Sequence, residues 1–492
     1  MRKFDFCTFL FGGISVLFNS YEFIFLFLPA TVFVYYFFNR IKKYTLAKAS
    51  LILASLFFYG YNNVFYIGVM LSSILVNYLC YLLIQRHQKR KKMIVAAGVI
   101  FNLALLGYFK YFDFLLLNLN MLAGTQFDYL DIALPLGISF FTFQQISFLL
   151  DSGAGTCRCA DFIDYMLFVT FFPQLVAGPI VTHDEIIPQL ESKENKTIDA
   201  SNLMKGVQAF SIGLCKKVLI ADFFGKIVAF GYQNIPNLNT LEASLTILAY
   251  TIQIYFDFSG YCDMATGIAL LFNVQLPANF NAPYKATNII DFWKRWHITL
   301  TRFLTRYVYI PLGGNRKGTT RTYINILLVF LISGFWHGAG YTFLLWGLLH
   351  GIANVFTRVF MDAINKVPRW ICWCFNFAFL NITWTIFRAE SMAQAVELIC
   401  RVFSGGFMIS DDLQYQLRQM MIVDIFSQDV PFRFVLTGFS AAAVLGTLCC
   451  RNTNEIINRQ SKSIWMLAGC CILFVLSVMS LAGVSTFLYF NF

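Results

Sequence analysis

Charge is scarce in this 492-residue chain: Asp, Glu, Lys and Arg together make up 13% of it, about half of what a soluble globular domain carries. With 58% of its residues hydrophobic, the chain has too little polar surface for an ordinary soluble protein. Acids are scarcer than bases, 26 against 37. The basic surplus is confined to loops, so the charge of +11 does not indicate nucleic-acid binding. Short runs of alternating polarity are missing, which excludes an outer-membrane barrel. Thirteen cysteines are present, yet Cys157-Arg-Cys159 and Cys449-Cys450 lack the spacing and the histidines of a zinc site. Cys80, Cys215, Cys372 and Cys374 lie in apolar runs, where a thiol behaves as a small hydrophobe. Neither a metal nor a disulfide framework is expected. No repeat of fixed period and no separate soluble domain interrupt the sequence.

What is present is apolar and aromatic, with 56 Phe and 18% aromatic residues overall. Apolar runs cover residues 22–38, 47–61, 64–84, 93–109, 132–150, 162–180, 203–225 (interrupted by Lys216-Lys217) and 241–272. They resume at 323–355, 371–387, 432–450 and 464–481. An all-α polytopic membrane protein of about eleven transmembrane helices follows, with residues 112–122 a candidate re-entrant or interfacial helix. Arg40, Lys42 and Lys43 follow the first span, and Arg86 to Lys92 follow the third. Basic loops stay cytoplasmic, so two clusters separated by two spans agree, and the segment before Tyr21 lies outside. Residues 182–202, with Asp184, Glu185, Glu191, Glu194 and Asp199, read as an extramembrane loop. Residues 1–16 read as a leader: Arg2 and Lys3 resemble a signal n-region, but no small-x-small cleavage site follows. A translation start near Val16 is the preferred reading, and residues 17–492 then form one transmembrane domain.

Five histidines are present, with unequal claims to chemistry. His87 sits in a Lys/Arg run and reads as solvated. His183, beside Asp184, reads as a loop or capping residue. His350 would lie about 220° around an ideal helix from His337 and reads as a helix-contact residue. His337 lies in Ser333-Gly-Phe-Trp-His-Gly-Ala-Gly340, inside a run long enough to cross a bilayer, and an ionisable group at that depth marks a functional site by default. Gly334, Gly338 and Gly340 remove bulk around it for a ligand or another helix. Ser333 shares its helical face, and Trp336 adjoins it. The competing reading is a packing histidine at a small-residue crossing.

His297 ends Phe292-Trp-Lys-Arg-Trp-His297, in a segment (285–321) with eight Lys/Arg and one acid, Asp291. A positive-inside loop alone would account for that charge. Yet Lys294, Arg295, Arg316 and Lys317, with Asn315 in a Gly-rich turn offering backbone donors, suit a polyanionic ligand. The turn is not a P-loop. Asp257 and Asp263 are carboxylates in an apolar stretch and suit either orienting an imidazole or anchoring a basic helix. Residue types alone leave an enzyme and a proton-coupled transporter both open.

The long strings carry a resemblance. Asn279-Phe-Asn-Ala-Pro-Tyr-Lys-Ala-Thr-Asn-Ile-Ile-Asp-Phe-Trp-Lys-Arg-Trp-His-Ile-Thr-Leu300, Tyr309-Ile-Pro-Leu-Gly-Gly-Asn-Arg-Lys-Gly318 and Ser333-Gly-Phe-Trp-His-Gly338 resemble, in order, the signature of membrane-bound O-acyltransferases. Leu134-Pro-Leu-Gly-Ile-Ser-Phe-Phe-Thr-Phe143 and Phe172-Pro-Gln-Leu-Val-Ala-Gly-Pro179 are similar to the alginate O-acetyltransferase branch of bacterial inner membranes. The resemblance runs from about residue 17 to 390 and implies that fold. It implies His337 as the catalytic histidine and His297 as the second essential one. It implies acetyl-CoA as a donor substrate rather than a tightly bound cofactor. It also implies an extracytoplasmic polysaccharide acceptor (alginate, another exopolysaccharide or peptidoglycan) and a periplasmic O-acetyltransferase partner, with membrane lipid around the chain.

Overall fold

The computed structural model describes residues 17–61, 63–157, 161–418, 432–449, 451–460, 463–481 and 487–488. The leader expectation for residues 1–16, and Cys159 and Cys450 of the cysteine pairs, lie outside them. Every regular element among the described residues is a helix. Two compact units emerge: Met1–Phe210 with Cys262–Pro277 and Gly483–Phe490, and Ser211–Tyr261 with Ala278–Ala482 and Asn491–Phe492.

The first unit is a set of helices whose interior mixes aromatic packing with a polar chain. Phe18, Phe23, Phe58 and Phe172 are buried together, with ring centroids 4.9–6.1 Å apart. Val64–Arg86 and Lys91–Leu106 are joined by Asn77 and Asn102, whose amides bond reciprocally at 3.2 and 2.6 Å. The chain continues through Gln145, which donates to Ser73 Oγ at 3.0 Å and accepts from the Tyr165 hydroxyl at 3.2 Å. Hydrogen bonds of this kind hold helices together where no hydrophobic difference between lipid and side chain is available to do so. The basic clusters at Arg40 to Lys43 and Arg86 to Lys92 sit at helix ends, and His87 is exposed among them.

Among the described residues, four helical segments are long and apolar enough to span a bilayer: Phe23–Arg40, Val64–Arg86, Gln88–Ala123 and Arg369–Arg388. Three shorter ones are apolar: Tyr44–Gly60, Gly438–Leu448 and Ile464–Met479. Several expected spans differ from these for local reasons. Residues 93–109 and 112–122 form one 36-residue helical run, because Gly107–Tyr111 adopts a π turn instead of breaking the chain. The second of these segments therefore continues the first as helix. Residues 162–180 yield only Phe162–Thr170 and the one-turn Phe172–Leu175: the helix breaks at Phe171 (φ −50, ψ 102), and Pro173, which has no N–H for a continuous helix, is placed in the first turn of the second. The 182–202 interval is not simply a loop. Thr182 and Glu185 form a capping box that starts the helix His183–Glu191. His183 is the buried first residue of that helix, 3.7 Å from Asp151, and the cap is Thr182.

In the second unit, the expected run 323–355 is not one span. It is a hairpin of Thr319–His337 and Tyr341–Val359, turned at residues 338–340. Glycine makes this possible. A Cβ on Gly334 would lie 2.3 Å from the Phe343 carbonyl oxygen, and one on Gly347 would lie 2.4 Å from that of Phe330. The two backbones touch, as small residues permit. A Cβ on Gly338 would meet the Phe343 ring at 2.1 Å, so the turn is also tight. His337 and His350 consequently lie on different helices, and the single-helix angle between them has no meaning. Lys216 and Lys217, expected as an interruption, begin a π-helical turn, Lys216–Ala221. Lys217 is buried and pairs with Asp257 at 2.7 Å and Asp222 at 2.9 Å.

Substitution separates these glycine roles. Gly347→Ala forces backbone against backbone and should lower stability by about 1–3 kcal/mol. Gly68→Ala, where a Cβ meets nothing within 4 Å, should leave stability unchanged or raise it by up to about 1 kcal/mol. Thermal denaturation midpoints of the two variants in one detergent test the contrast.

Candidate active site

The basic segment folds around Asn279. Its backbone carbonyl accepts from Ile298 N at 3.0 Å, and Asn281 N donates to the Arg295 carbonyl at 2.9 Å. These bonds draw residues 279–281 alongside 295–298. His297 sits between the helices Ile289–Trp293 and Ile298–Leu304 with φ 45 and ψ 51, a left-handed conformation uncommon outside glycine. Strained backbone of this kind persists where the surroundings over-determine it, and it concentrates at functional sites.

Asn279 also sets the imidazole. Its Oδ1 accepts from Thr299 N at 3.3 Å and Thr299 Oγ1 at 2.9 Å, and lies 3.2 Å from His297 Nδ1. The Thr299 amide can only donate, so the atom facing His297 is the oxygen. His297 Nδ1 therefore carries the ring proton, leaving Nε2 as the nitrogen with a lone pair. Complete burial of the ring pushes its pKa down to about 3. The group is neutral at any physiological pH.

His337, the last residue of the hairpin's first helix, brings the second imidazole to within 6.4 Å of the first, centroid to centroid. Both rings are buried, at 0% and 3% exposure for His297 and His337. Aromatic faces enclose them: Phe258 lies 4.9 Å from His297, while Trp336, Trp346 and Phe387 lie 4.9, 5.2 and 5.4 Å from His337. Two residues forty positions apart thus share one buried, aromatic-walled chamber. Such a chamber strengthens any hydrogen bond made inside it.

A cavity of about 280 Å³ opens beside this chamber, between the basic segment and the hairpin. Ser333 lines it, one helical turn before His337, with its hydroxyl oxygen buried and without a hydrogen-bond partner among the described residues. Lys294 and Arg358 line it too, and Arg358 Nε donates to Asn354 Oδ1 at 3.0 Å. Asn354 and Arg358 were not found from sequence. Their i, i+4 spacing is visible there, but only the hairpin brings that end of the second helix to the cavity.

The other expected ligand-binding residues are placed differently. Arg295 bonds Asp291 at 2.9 Å and the Asn281 carbonyl at 3.3 Å, bracing the segment. Asn315, Arg316 and Lys317 are exposed on the Gly-rich turn and are not among the residues lining the cavity. Nor does that turn offer all its amides: Gly313, Gly314 and Arg316 N–H groups bond to Ile310, Tyr309 and Gly313 carbonyls. Asn325 holds the turn through the Gly314 carbonyl at 3.0 Å. Asp257 engages Lys217. His350 accepts from Trp293 Nε1 at 3.2 Å, the helix contact expected of it.

Residues 149–394, which include both histidines and the hairpin, match the model of the membrane-bound O-acyltransferase family. The chain belongs to that family. It is 40% identical to the peptidoglycan O-acetyltransferase of Helicobacter pylori, covering 97% of this chain and 98% of that protein. It is 36% identical to the probable alginate O-acetylase AlgI of Azotobacter vinelandii, covering 83% of each. A weaker likeness, 27% identity over 48% of this chain and 62% of the relative, links it to the teichoic acid D-alanyltransferase of Bacillus subtilis. The protein is thus a membrane acyltransferase, and family membership decides between the enzyme and the transporter that residue types left open.

Burial of the acyltransferase's neutral His297 has a pH signature. Between the unfolded value of 6.5 and the folded value of about 3, the unfolded chain binds a proton that the folded chain does not. This contribution to stability is complete above pH 6.5 and is lost as pH falls below it. His297→Gln should therefore show a shallower fall in Tm between pH 6.5 and 4 than wild type. Equal slopes would contradict a buried neutral ring.

Proposed function

We propose that the protein O-acetylates an extracytoplasmic polysaccharide, taking the acetyl group from a cytoplasmic thioester, acetyl-CoA, in a bacterial inner membrane. The observation that carries this reading is the pair of buried imidazoles 6.4 Å apart beside a cavity lined by Lys294, Arg358 and Ser333. The likeness to a peptidoglycan O-acetyltransferase and a probable alginate O-acetylase supports an acetyl donor and a glycan acceptor.

In this mechanism the donor's phosphates meet Lys294 and Arg358, which supply charge-assisted hydrogen bonds at the cavity. Arg316 and Lys317, on the exposed turn, attract the polyanion before it is seated. His337 removes the proton from the acceptor hydroxyl as its oxygen attacks the thioester carbon. The C–S bond then breaks, and the departing thiolate takes up the proton. His297 is too weak a base to hold a proton at neutral pH, so it acts through Nε2 as a hydrogen-bond acceptor that orients the hydroxyl. Only the acetyl group crosses the hydrocarbon, whereas moving the charged donor across would be far more costly. The acceptor is either the glycan itself or a serine of a periplasmic partner transferase.

A covalent route has its own supporting observation: the buried Ser333 hydroxyl on the His337 face of the same helix. In that route Ser333 Oγ is acetylated first and the acceptor hydroxyl is acetylated from it.

Thioester loss from labelled acetyl-CoA, with purified protein in proteoliposomes and periplasmic extract as acceptor, tests the reading. His337→Ala should lower turnover by about 10²–10⁴-fold, with folding intact. Lys294→Gln and Arg358→Gln should chiefly raise KM, because they hold the donor equally in ground and transition states. Wild-type protein that binds no thioester would overturn the proposal. Labelled acetyl trapped on His337→Ala protein and absent from the His337→Ala/Ser333→Ala double variant would favour the covalent route.

A further inference from the structure

A second, larger cavity lies in the same unit, about 530 Å³ in volume, within the range of small-molecule sites. One wall comes from the helix carrying Lys216 and Leu219, and the other from the C-terminal helices Phe432–Cys449 and Ile464–Met479. Those C-terminal helices lie beyond residue 394, where the family match ends. The cavity is separate from the one beside the histidines, and the two share no lining residue.

Its chemistry is amphipathic. The lining is predominantly apolar, but Lys216 and Arg451 both reach it, and no Asp or Glu is among the lining residues. Lys216 Nζ donates to Thr453 Oγ1 at 2.9 Å, and Arg451 is exposed. Of the adjacent lysines, Lys217 pairs with Asp222 and Asp257, and Lys216 lines the cavity. Trp465, 84% exposed, also lines it. Tryptophan is enriched at the level of lipid headgroups.

Two glycines hold the hollow open. A Cβ added to Gly446 or Gly469 would meet nothing within 4 Å among the described residues. Neither has a positive φ and neither packs against a backbone, so close helix approach does not account for them. We infer that this cavity binds an anionic phospholipid of the surrounding bilayer, with acyl chain among the apolar residues and phosphate between Lys216 and Arg451. Basic pockets between transmembrane helices recognise such headgroups, and among the described lining residues no acid offers a partner to a zwitterion's ammonium.

Native mass spectrometry of the full chain in detergent, titrated with dioleoylphosphatidylglycerol or dioleoylphosphatidylcholine, tests this. Wild type should bind the anionic lipid about tenfold or more tighter, because two basic groups each contribute about fivefold. Lys216→Gln/Arg451→Gln should bind both lipids alike. Gly446→Leu/Gly469→Leu fills the hollow, and leucine favours helix over glycine. That variant should lose the anionic lipid while keeping its lipid-free Tm. Equal wild-type affinity for the two lipids would overturn the inference, as would undiminished binding in the filled variant. A polyprenyl phosphate retained from cells that phosphatidylglycerol fails to displace would overturn it too.

Discussion

The contact of backbone on backbone between the helices Thr319–His337 and Tyr341–Val359 is the constraint on which the geometry of the candidate site depends. Gly334 and Gly347 permit it, since any side chain at either would strike a carbonyl oxygen. Because the helices meet there, the chain must reverse within three residues, and the reversal leaves His337 at the end of a helix. The packed pair then presents Ser333 from one helix and Arg358 from the other to one cavity. The enclosure of the two imidazoles and the proposed seating of a donor both inherit this crossing.

Buried charge in the second unit is handled by pairing. Lys217 meets two carboxylates from within the π turn, and its neighbour Lys216 lines a cavity. Removing one partner of such a cluster would strand the others in a poorly solvating interior, a loss of several kcal/mol. Asp257 is therefore tied to the architecture of the helix Thr240–Leu271 through Lys217. His297 follows the opposite logic: complete burial of its ring disfavours the charged form, and the group stays neutral.

Much of this was legible in the sequence. The apolar composition dictated helices, the basic clusters fell at helix ends, and the motifs around His297 and His337 identified the family. The 32-residue helix Thr240–Leu271 was found almost to the residue. Hydropathy failed where the break is geometric. The 323–355 run contains no charge to mark its turn, and only the glycine spacing encodes the hairpin. Residues 93–122 failed in the other sense, since the sequence was divided between 109 and 112 where a π turn carries the helix through. At the site, Lys294 and Ser333 were read from neighbours in sequence. Asn279 was quoted as part of a motif, yet its hold on the His297 tautomer needs a loop eighteen residues long to close. Arg358 needs the hairpin.

That hairpin has a metric consequence. The proposed phosphate-binding residue Arg358 stands on one arm and the reacting end, Ser333 and His337, on the other, and the arms are fixed where glycine meets glycine. The interval between anchoring charge and reacting carbonyl is thus built into the protein as a ruler, with no flexible linker to stretch it. A thioester presenting the same groups at another separation would be held at one end and miss at the other. In such a device, selectivity among donors comes from length as much as from the chemistry of their ends.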